Sequence, residues 1–119
     1  AAGIRCAGNF MIGFRDESWE SVLETRRFAE ELRDAGLDAV GFMIPVPYPG
    51  SMDFERLSAE ERARFDADVL GHCDRMHWRA RPVFETRVPG EMLEAAAQEF
   101  WAELNEAAYV EQKTERNVR

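Results

Sequence analysis

The chain has 119 residues, of which 45% are hydrophobic and 32% charged, a composition typical of one soluble globular domain. Its net charge of −8 argues against a general surface for nucleic acid or for an anionic membrane. No apolar run approaches the roughly 20 residues of a membrane span, and the first residues lack the pattern of a secretory signal. Two cysteines, Cys6 and Cys73, do not make a disulfide framework. We therefore expect a cytoplasmic protein with no nucleic-acid or membrane partner.

The first half of the chain is predicted to form a strand, a helix and a second strand. Residues Ile4–Phe14 are rich in β-branched and aromatic side chains and indicate a buried strand. Ser18 suits an N-cap and Gly36 stands where a helix-ending glycine belongs, so the apolar periodicity predicts a helix over Ser18–Ala35. Asp38–Val46 is nearly continuously apolar, as in a strand of a parallel sheet. The predicted fold is α/β, with adjacent parallel strands in a right-handed βαβ unit.

The second half of the chain, residues 52–119, is predicted to be a helical extension of the βαβ unit in residues 1–51. Ser58 and Glu61 have the spacing of a capping box. One apolar helix face then comprises Phe65, Val69, Cys73 and Met76. Residues 81–88 are either a short strand or an extended connector, and Pro89 is assigned to the first position of the last helix. The apolar stripe of that helix comprises Leu93, Ala97, Phe100, Leu104 and Ala108.

The carboxyl ends of parallel strands are where α/β sheets bind ligands, and here they are residues 13–17 and 45–48. Strand alternation divides the first strand into a bulky face, expected to pack under the helix, and a thinner, more polar face. The bulky face comprises Phe10, Ile12 and Phe14, and the thinner one Asn9, Met11 and Gly13. Gly13 permits close approach of a ligand to the backbone, although spacing alone favours a glycine that simply admits the following turn.

Charged and metal-ligating residues have simpler explanations than catalysis. Cys73 and His77 have the helical i,i+4 spacing of two metal ligands, with His72 beside them. The apolar stripe through Cys73 and a cationic His77 at a helix end account for both residues, so we predict no metal site. The acids that begin the first helix suit its dipole, and no catalytic residue is assigned. Arg15, at a strand end, is either solvated or a ligand for an anionic group.

The segments Phe10–Ser18 and Pro47–Ser51, with the helix between them, resemble the radical S-adenosylmethionine superfamily. In that superfamily a strand carrying Phe-Met-Ile-Gly-Phe-Pro-Gly-Glu-Thr leads into such a helix, and the next strand ends in Pro-Tyr-Pro-Gly-Thr. The cobalamin-dependent branch also has a C-terminal Trp…Leu-Asn…Tyr-Val…Lys pattern. This chain matches that pattern at Trp101, Leu104, Asn105, Tyr109, Val110 and Lys113. The resemblance implies the last two strands of a partial (β/α)6 barrel and its C-terminal extension.

The resemblance also implies a site. Met11, Gly13, Pro45 and Val46 fall where the family lines the adenine of S-adenosylmethionine, and Asn9 replaces the first glycine of the motif. A side chain at Gly13 is expected to enter the space left for the ligand. The full-length enzyme would carry a 4Fe-4S cluster and cobalamin as further cofactors, with methyl transfer as one candidate reaction.

The chain departs from the family pattern in its loop and in its cysteines. Arg15 and Asp16 stand where the family has Pro-Gly, so the turn must be built differently, and the family's acid falls on Asp16 or Glu17. The Cys-x-x-x-Cys-x-x-Cys motif is absent, and Cys6 and Cys73 do not replace it, because three thiolates must converge on one cluster. The cobalamin domain is absent too. We expect the C-terminal piece of such an enzyme, inactive alone and completed by the missing N-terminal part of the barrel.

Two functions of other classes are left open by the sequence. The chain could be a non-enzymatic α/β module that binds a partner or itself through an uncovered sheet edge. A two-stranded parallel sheet leaves long unpaired edges, and no lysine guards them here, so the isolated chain is expected to be marginally stable or to associate. The third reading is a small metal-binding protein that uses His72, Cys73 and His77.

Overall fold

The fold is given by a computed structural model that describes residues 2–67, 69, 82–107, 109–111 and 113. In chain order the elements are β1 (Ala7–Met11), α1 (Trp19–Asp34), β2 (Ala39–Met43), α2 (Met52–Glu55), α3 (Ala59–Ala67) and α4 (Gly90–Leu104). The two strands are parallel neighbours, with Asn9 opposite Gly41 and Met11 opposite Met43. This arrangement confirms the predicted α/β fold, in which a parallel strand–helix–strand unit is followed by helices.

Both strands are shorter than predicted. β1 ends at Met11 rather than Phe14, because Gly13 adopts a φ of 97° and turns the chain out of the sheet. β2 ends at Met43, ahead of Pro45, which has no N–H group to donate to a strand ladder. At the N-terminal end, β1 begins at Ala7, and Ile4, the predicted first residue of the strand, is exposed and lies outside it.

Helix α1 is bounded as the sequence predicts. Ser18 is its N-cap, and the Ser18 hydroxyl accepts a hydrogen bond of 3.2 Å from the backbone N–H of Ser21. Gly36 follows the C-cap with a φ of 123°. The N–H of Leu37 then donates to the carbonyl of Leu32 at 3.1 Å, which is the Schellman arrangement for a helix end.

The core lies between one face of the sheet and the helices α1 and α4. The Phe10 ring stacks on Phe42 with 5.6 Å between ring centres, and it meets Phe28 of α1 edge to face at 6.1 Å. Phe42 meets Phe100 of α4 at 5.4 Å. The bulky strand face therefore packs under the helices as predicted, except that Phe14 is exposed beyond the turn at Gly13. The buried cluster comprises Ile12, Val22, Ala29, Val40, Phe42, Ile44, Val88, Leu93, Ala96, Ala97, Phe100 and Leu104.

The capping box before α3 is confirmed. The N–H of Glu61 donates to the Ser58 hydroxyl at 3.1 Å, and the N–H of Ser58 donates to the Glu61 carboxylate at 2.8 Å. Phe65 is buried behind it with Phe54 and Val83 in a second, smaller cluster. The apolar face predicted to continue from Phe65 is interrupted: Val69 is exposed. Its further members, Cys73 and Met76, lie outside the described residues.

Helix α4 begins one position later than predicted, because Pro89 is its N-cap and Gly90 its first residue. The described residues before it, 82–88, form a connector rather than a strand. The buried members of the predicted stripe are Leu93, Ala97, Phe100 and Leu104, and Ala108 lies outside the described residues. In the part of the chain that the structure describes, no helix combines the length and the apolarity of a membrane span.

Candidate functional site

The carboxyl ends of β1 and β2 lie side by side, because the strands are parallel and in register. The four predicted cofactor-binding residues belong to this edge of the sheet. Met11 is 49% exposed, Gly13 and Pro45 are buried, and Val46 is half-buried. The edge therefore offers one exposed apolar side chain at Met11, one partly accessible apolar side chain at Val46 and two buried residues.

The loop that follows β1 is held by the carboxylate of Glu17. One carboxylate oxygen accepts hydrogen bonds from the N–H groups of Gly13, at 2.6 Å, and Phe14, at 3.2 Å. The other oxygen accepts from the Ser21 hydroxyl at 3.2 Å. Of the two acids on which the family motif could fall, Glu17 is the one that folds back onto the glycine, whereas Asp16 is exposed. The acid thus shapes the loop by bonding its backbone.

The backbone conformation and the surroundings of Gly13 both favour glycine at this position. Its φ of 97° is unfavourable for any side chain, and a Cβ added to it would lie 3.0 Å from Cδ1 of Leu93 in α4. The expectation that a side chain at Gly13 would enter ligand space is therefore wrong, because the Cβ direction points into the core. The simpler explanation, a glycine that admits the turn, accounts for the residue type.

The sheet face opposite the helices is the thin face that strand alternation predicts. Asn9 and Met11 are exposed on it, and Gly41 and Met43 are half-buried. Asn9 leans across the sheet, since a Cβ on Gly41 would come within 2.8 Å of its amide oxygen. Parallel sheets are normally covered on both faces. This open face, which we call the Met11 face, is therefore suited to contact another part of a larger assembly or a ligand.

Arg15 pairs with Glu61 and is not free to hold an external anion, although its side chain is 41% exposed to solvent. Its guanidinium donates two parallel hydrogen bonds to that carboxylate, at 2.9 and 3.2 Å. Glu61 is buried and also accepts from the N–H groups of Ser58 and Glu85, each at 2.8 Å. The hydrogen bond from Arg15 is the largest of the causes that lower the pKa of Glu61 to about 2. Arg15 also lies over the Phe84 ring, 5.1 Å from its centre.

The Arg15–Glu61 pair ties the loop after β1 to the second half of the chain. The carbonyl of Arg15 accepts a further hydrogen bond of 2.9 Å from the N–H of Arg87. The loop is thus held from two sides, by Glu17 locally and by the capping box and the 82–88 connector at long range. The structure thereby shows how the turn at Arg15 and Asp16 is built.

The C-terminal pattern also takes a definite form. The Trp101 and Tyr109 rings lie 6.5 Å apart, and the Lys113 ammonium is 5.8 Å from the centre of the Tyr109 ring. The side chain of Asn105 hydrogen-bonds the backbone of Val40 in β2. Sequence reasoning quoted Asn105 only as part of a pattern and missed this contact, which joins residues 65 positions apart.

The candidate ligands His72, Cys73 and His77 lie outside the described residues, so the expectation of no metal there stays a prediction. Elsewhere, within the described ranges, no group of three or more His, Cys, Asp or Glu could hold a metal ion. Cys6 is an exposed free thiol ahead of β1.

No protein-family model matches the chain, and no solved structure does. A segment of 53 residues is 42% identical to a protein of Pyrococcus horikoshii that is named an uncharacterized methyltransferase. The matched segment makes up 44% of this chain and 11% of that protein. The chain therefore matches only about a tenth of the length of this curated relative.

Proposed function

We propose that the chain is the C-terminal part of the catalytic barrel of a radical S-adenosylmethionine enzyme. Its contribution is part of the wall around the cofactor's adenine, formed by Met11, Gly13, Pro45 and Val46. The observation that carries the proposal is the loop after β1, in which Glu17 bonds the N–H of Gly13 at 2.6 Å. Gly13 is the second glycine of the motif by which the sequence resembles that superfamily, and Glu17 is one of the two acids on which the motif's acid could fall.

The one-sided cover of the sheet also supports the proposal. In a (β/α) barrel the helices cover the outer face of the strands, and the other strand face lines the interior. Here α1 and α4 lie on the Phe10 and Phe42 side, and Met11 on the other side is 49% exposed. The Met11 face corresponds in this proposal to the interior of the complete barrel.

The residues of the proposed pocket suit an adenine ring. A half-exposed methionine is adaptable and makes favourable contacts with aromatic rings through its sulfur. Val46 adds a partly accessible apolar surface at the same end of the sheet. Because Glu17 already occupies the N–H of Gly13, Gly13 contributes shape rather than a donor. The polar edge of the adenine would be recognised by other backbone groups.

The chain's residues do not fit the other two cofactors that the resemblance implies. An iron–sulfur cluster of this kind needs three convergent thiolates, and the chain has two cysteines, Cys6 and Cys73. No residue of the chain is assigned to cobalamin. Both groups would be held by other parts of the full-length enzyme, and we propose that this chain is inactive alone.

Methyl transfer is the reaction class that we propose for the full-length enzyme. The support is the relative in Pyrococcus horikoshii, which is named a methyltransferase. S-adenosylmethionine supplies the methyl group or the radical when it is bound. The residues of this chain would orient its adenine and keep water from that end of the cofactor.

The coding DNA upstream of Ala1 provides the direct test. The proposal predicts an in-frame Cys-x-x-x-Cys-x-x-Cys motif within a few hundred bases. A stop codon immediately ahead of Ala1 would contradict it and favour the second candidate, an α/β module that associates through its sheet. The observation that favours this second candidate is that, in the described part of the chain, the sheet has two strands and an unpaired outer edge on β1.

A further inference from the structure

Asn105 is a buried side chain that occupies the outer edge of β2. Its amide oxygen accepts a hydrogen bond of 3.0 Å from the N–H of Val40. Its amide nitrogen donates to the carbonyl of Val40 at 2.9 Å and to the carbonyl of Trp101 at 2.7 Å. The amide thus makes with Val40 the pair of bonds that the N–H and C=O of one residue in an antiparallel neighbouring strand would make. At this point β2 is closed to further pairing.

Among the described residues, none covers the outer edge of β1 in this way. The N–H of Ile12 donates across the sheet to the carbonyl of Met43 at 3.0 Å. Peptide groups of successive residues in a strand point to opposite edges, so the N–H groups of Asn9 and Met11 face away from β2. The sheet has two strands within the described residues, and therefore these donors lie on an unpaired edge.

The side chains of β1 and of its flanking residues are uncharged. Residues 6–14 carry no charged side chain, although the chain as a whole has a net charge of −8. The β1 strands of two copies therefore bring no like charges of their own together, and β1 contains no lysine, proline or bulge to guard its edge. Met11 on one face and Phe28 on the other are 49% and 53% exposed.

Phe28 lies on the side of α1 that faces away from α4. Arg26 of α1 reaches Glu103 of α4 at 2.8 Å, so α4 lies on the Arg26 side of α1. Two helical positions are about 200° apart at 3.6 residues per turn, which places Phe28 on the opposite side. Phe28 contacts Phe10 there, beside the open edge of β1.

We propose that the sheet grows only from β1, because Asn105 closes β2, and that in the isolated chain the docking strand is the β1 of a second copy. Pairing of one segment with itself gives a two-fold interface in which β1 runs antiparallel to its counterpart. The dimer joins two sheets into one of four strands and places Met11 and Phe28 next to the new strand pair. This inference concerns the chain by itself and does not depend on the proposed cofactor.

Amide hydrogen exchange on the unmodified chain, at low and at high protein concentration, tests both the closure of β2 by Asn105 and the pairing of β1 with a second copy. The Val40 N–H should be protected at both concentrations, because Asn105 holds it. The N–H groups of Asn9 and Met11 should exchange freely in the monomer and become protected as sedimentation shows the dimer forming. Val40 exchanging as fast as Asn9 in the monomer would overturn the closure of β2. A chain that stays monomeric, or a dimer in which Asn9 and Met11 still exchange freely, would overturn the docking on β1.

Two matched methionine variants separate the edge from general charge effects. Met11→Lys places a charge beside the edge, whereas Met92→Lys makes the same change at a 44% exposed position of α4. The first should raise the dimer dissociation constant at least tenfold, and the second should leave it within twofold. Equal effects of the two variants would overturn the proposal.

Asn105→Ala tests the closure of β2 by removing the amide that bonds Val40. With both edges available, the variant should form species larger than a dimer, and its Val40 N–H should lose at least tenfold in protection. Asn9→Ala is the control, because Asn9 is the exposed asparagine of the Met11 face and makes no bond to Val40. If Asn105→Ala does not fold, the Val40 exchange of the unmodified chain decides the same question. A folded Asn105→Ala variant that stays dimeric with Val40 protected would contradict the proposal.

Discussion

The guanidinium of Arg15 and the carboxylate of Glu61 are joined by two hydrogen bonds of 2.9 and 3.2 Å, although the residues are 46 positions apart. This pair connects the loop after β1 to the start of α3. The same carboxylate accepts two backbone N–H groups, from Ser58 and Glu85. The shape of the Gly13 loop therefore depends on the second half of the chain as well as on Glu17.

Arg15→Met should lower the free energy of unfolding by about 2 kcal/mol, because it leaves the buried Glu61 carboxylate without its cation. Arg15 is itself 41% exposed, and solvent screening keeps the loss below that of a fully buried pair. Urea unfolding measures it. The matched control is Arg33→Met, whose partner Asp34 is exposed, and it should change stability by less than about 0.5 kcal/mol. Equal losses in the two variants would show that the Arg15 pair is an ordinary surface contact.

Acid should weaken the fold through Glu61. Its pKa in the folded chain is about 2, below the ordinary value of 4.5, so its contribution is complete above about pH 4.5 and is lost as the pH falls through 2. The shift corresponds to about 3 kcal/mol, at 1.36 kcal/mol for each pKa unit. Unfolding free energies of the unmodified chain and of Glu61→Gln should converge by about this amount between pH 5 and pH 2. If the difference in unfolding free energy between the two proteins stays constant from pH 5 to pH 2, the lowered pKa of Glu61 is contradicted.

Gly13→Ala should destabilise the fold, because the new Cβ meets Leu93 at 3.0 Å in a backbone conformation with positive φ. Gly36→Ala is the control, since Gly36 also has a positive φ but has nothing within 4 Å of an added Cβ. We expect Gly13→Ala to lose about 1 kcal/mol more than Gly36→Ala. Thermal melts of the two variants measure the difference, and an equal loss would mean that Leu93 yields without strain. Because folding is affected first, Gly13 variants are poor probes of a cofactor site.

The sequence predicted the parts of the fold that local rules govern. Ser18 and Gly36 bound α1 because a hydroxyl cap and a glycine end are short-range signals. The parallel pairing of β1 and β2 followed from two apolar segments on either side of one helix. The capping box of Ser58 and Glu61 is local in the same way.

Contacts between residues far apart in the sequence could not be predicted from those local rules. The sequence marks Glu61 only as a capping residue, and nothing in its neighbourhood indicates Arg15 as a partner. The bond from Asn105 to Val40 depends on how α4 packs on β2. The short distance between Leu93 and a Cβ added at Gly13 depends on the packing of α4 as well. The loop residues Glu17 and Gly13 could be named from the family resemblance, but the hydrogen bond between them had no signal in periodicity.

The affinity of the full-length polypeptide for S-adenosylmethionine, measured by calorimetric titration of Met11→Glu and Met92→Glu, tests the central claim most directly. Both methionines are about half exposed here, at 49% and 44%, so the two variants place the same charge at positions of similar exposure. If the Met11 face lines the adenine, Met11→Glu should weaken binding at least tenfold, or about 1.4 kcal/mol, and Met92→Glu should leave it unchanged. Equal affinities in the two variants would contradict the proposed role of this chain.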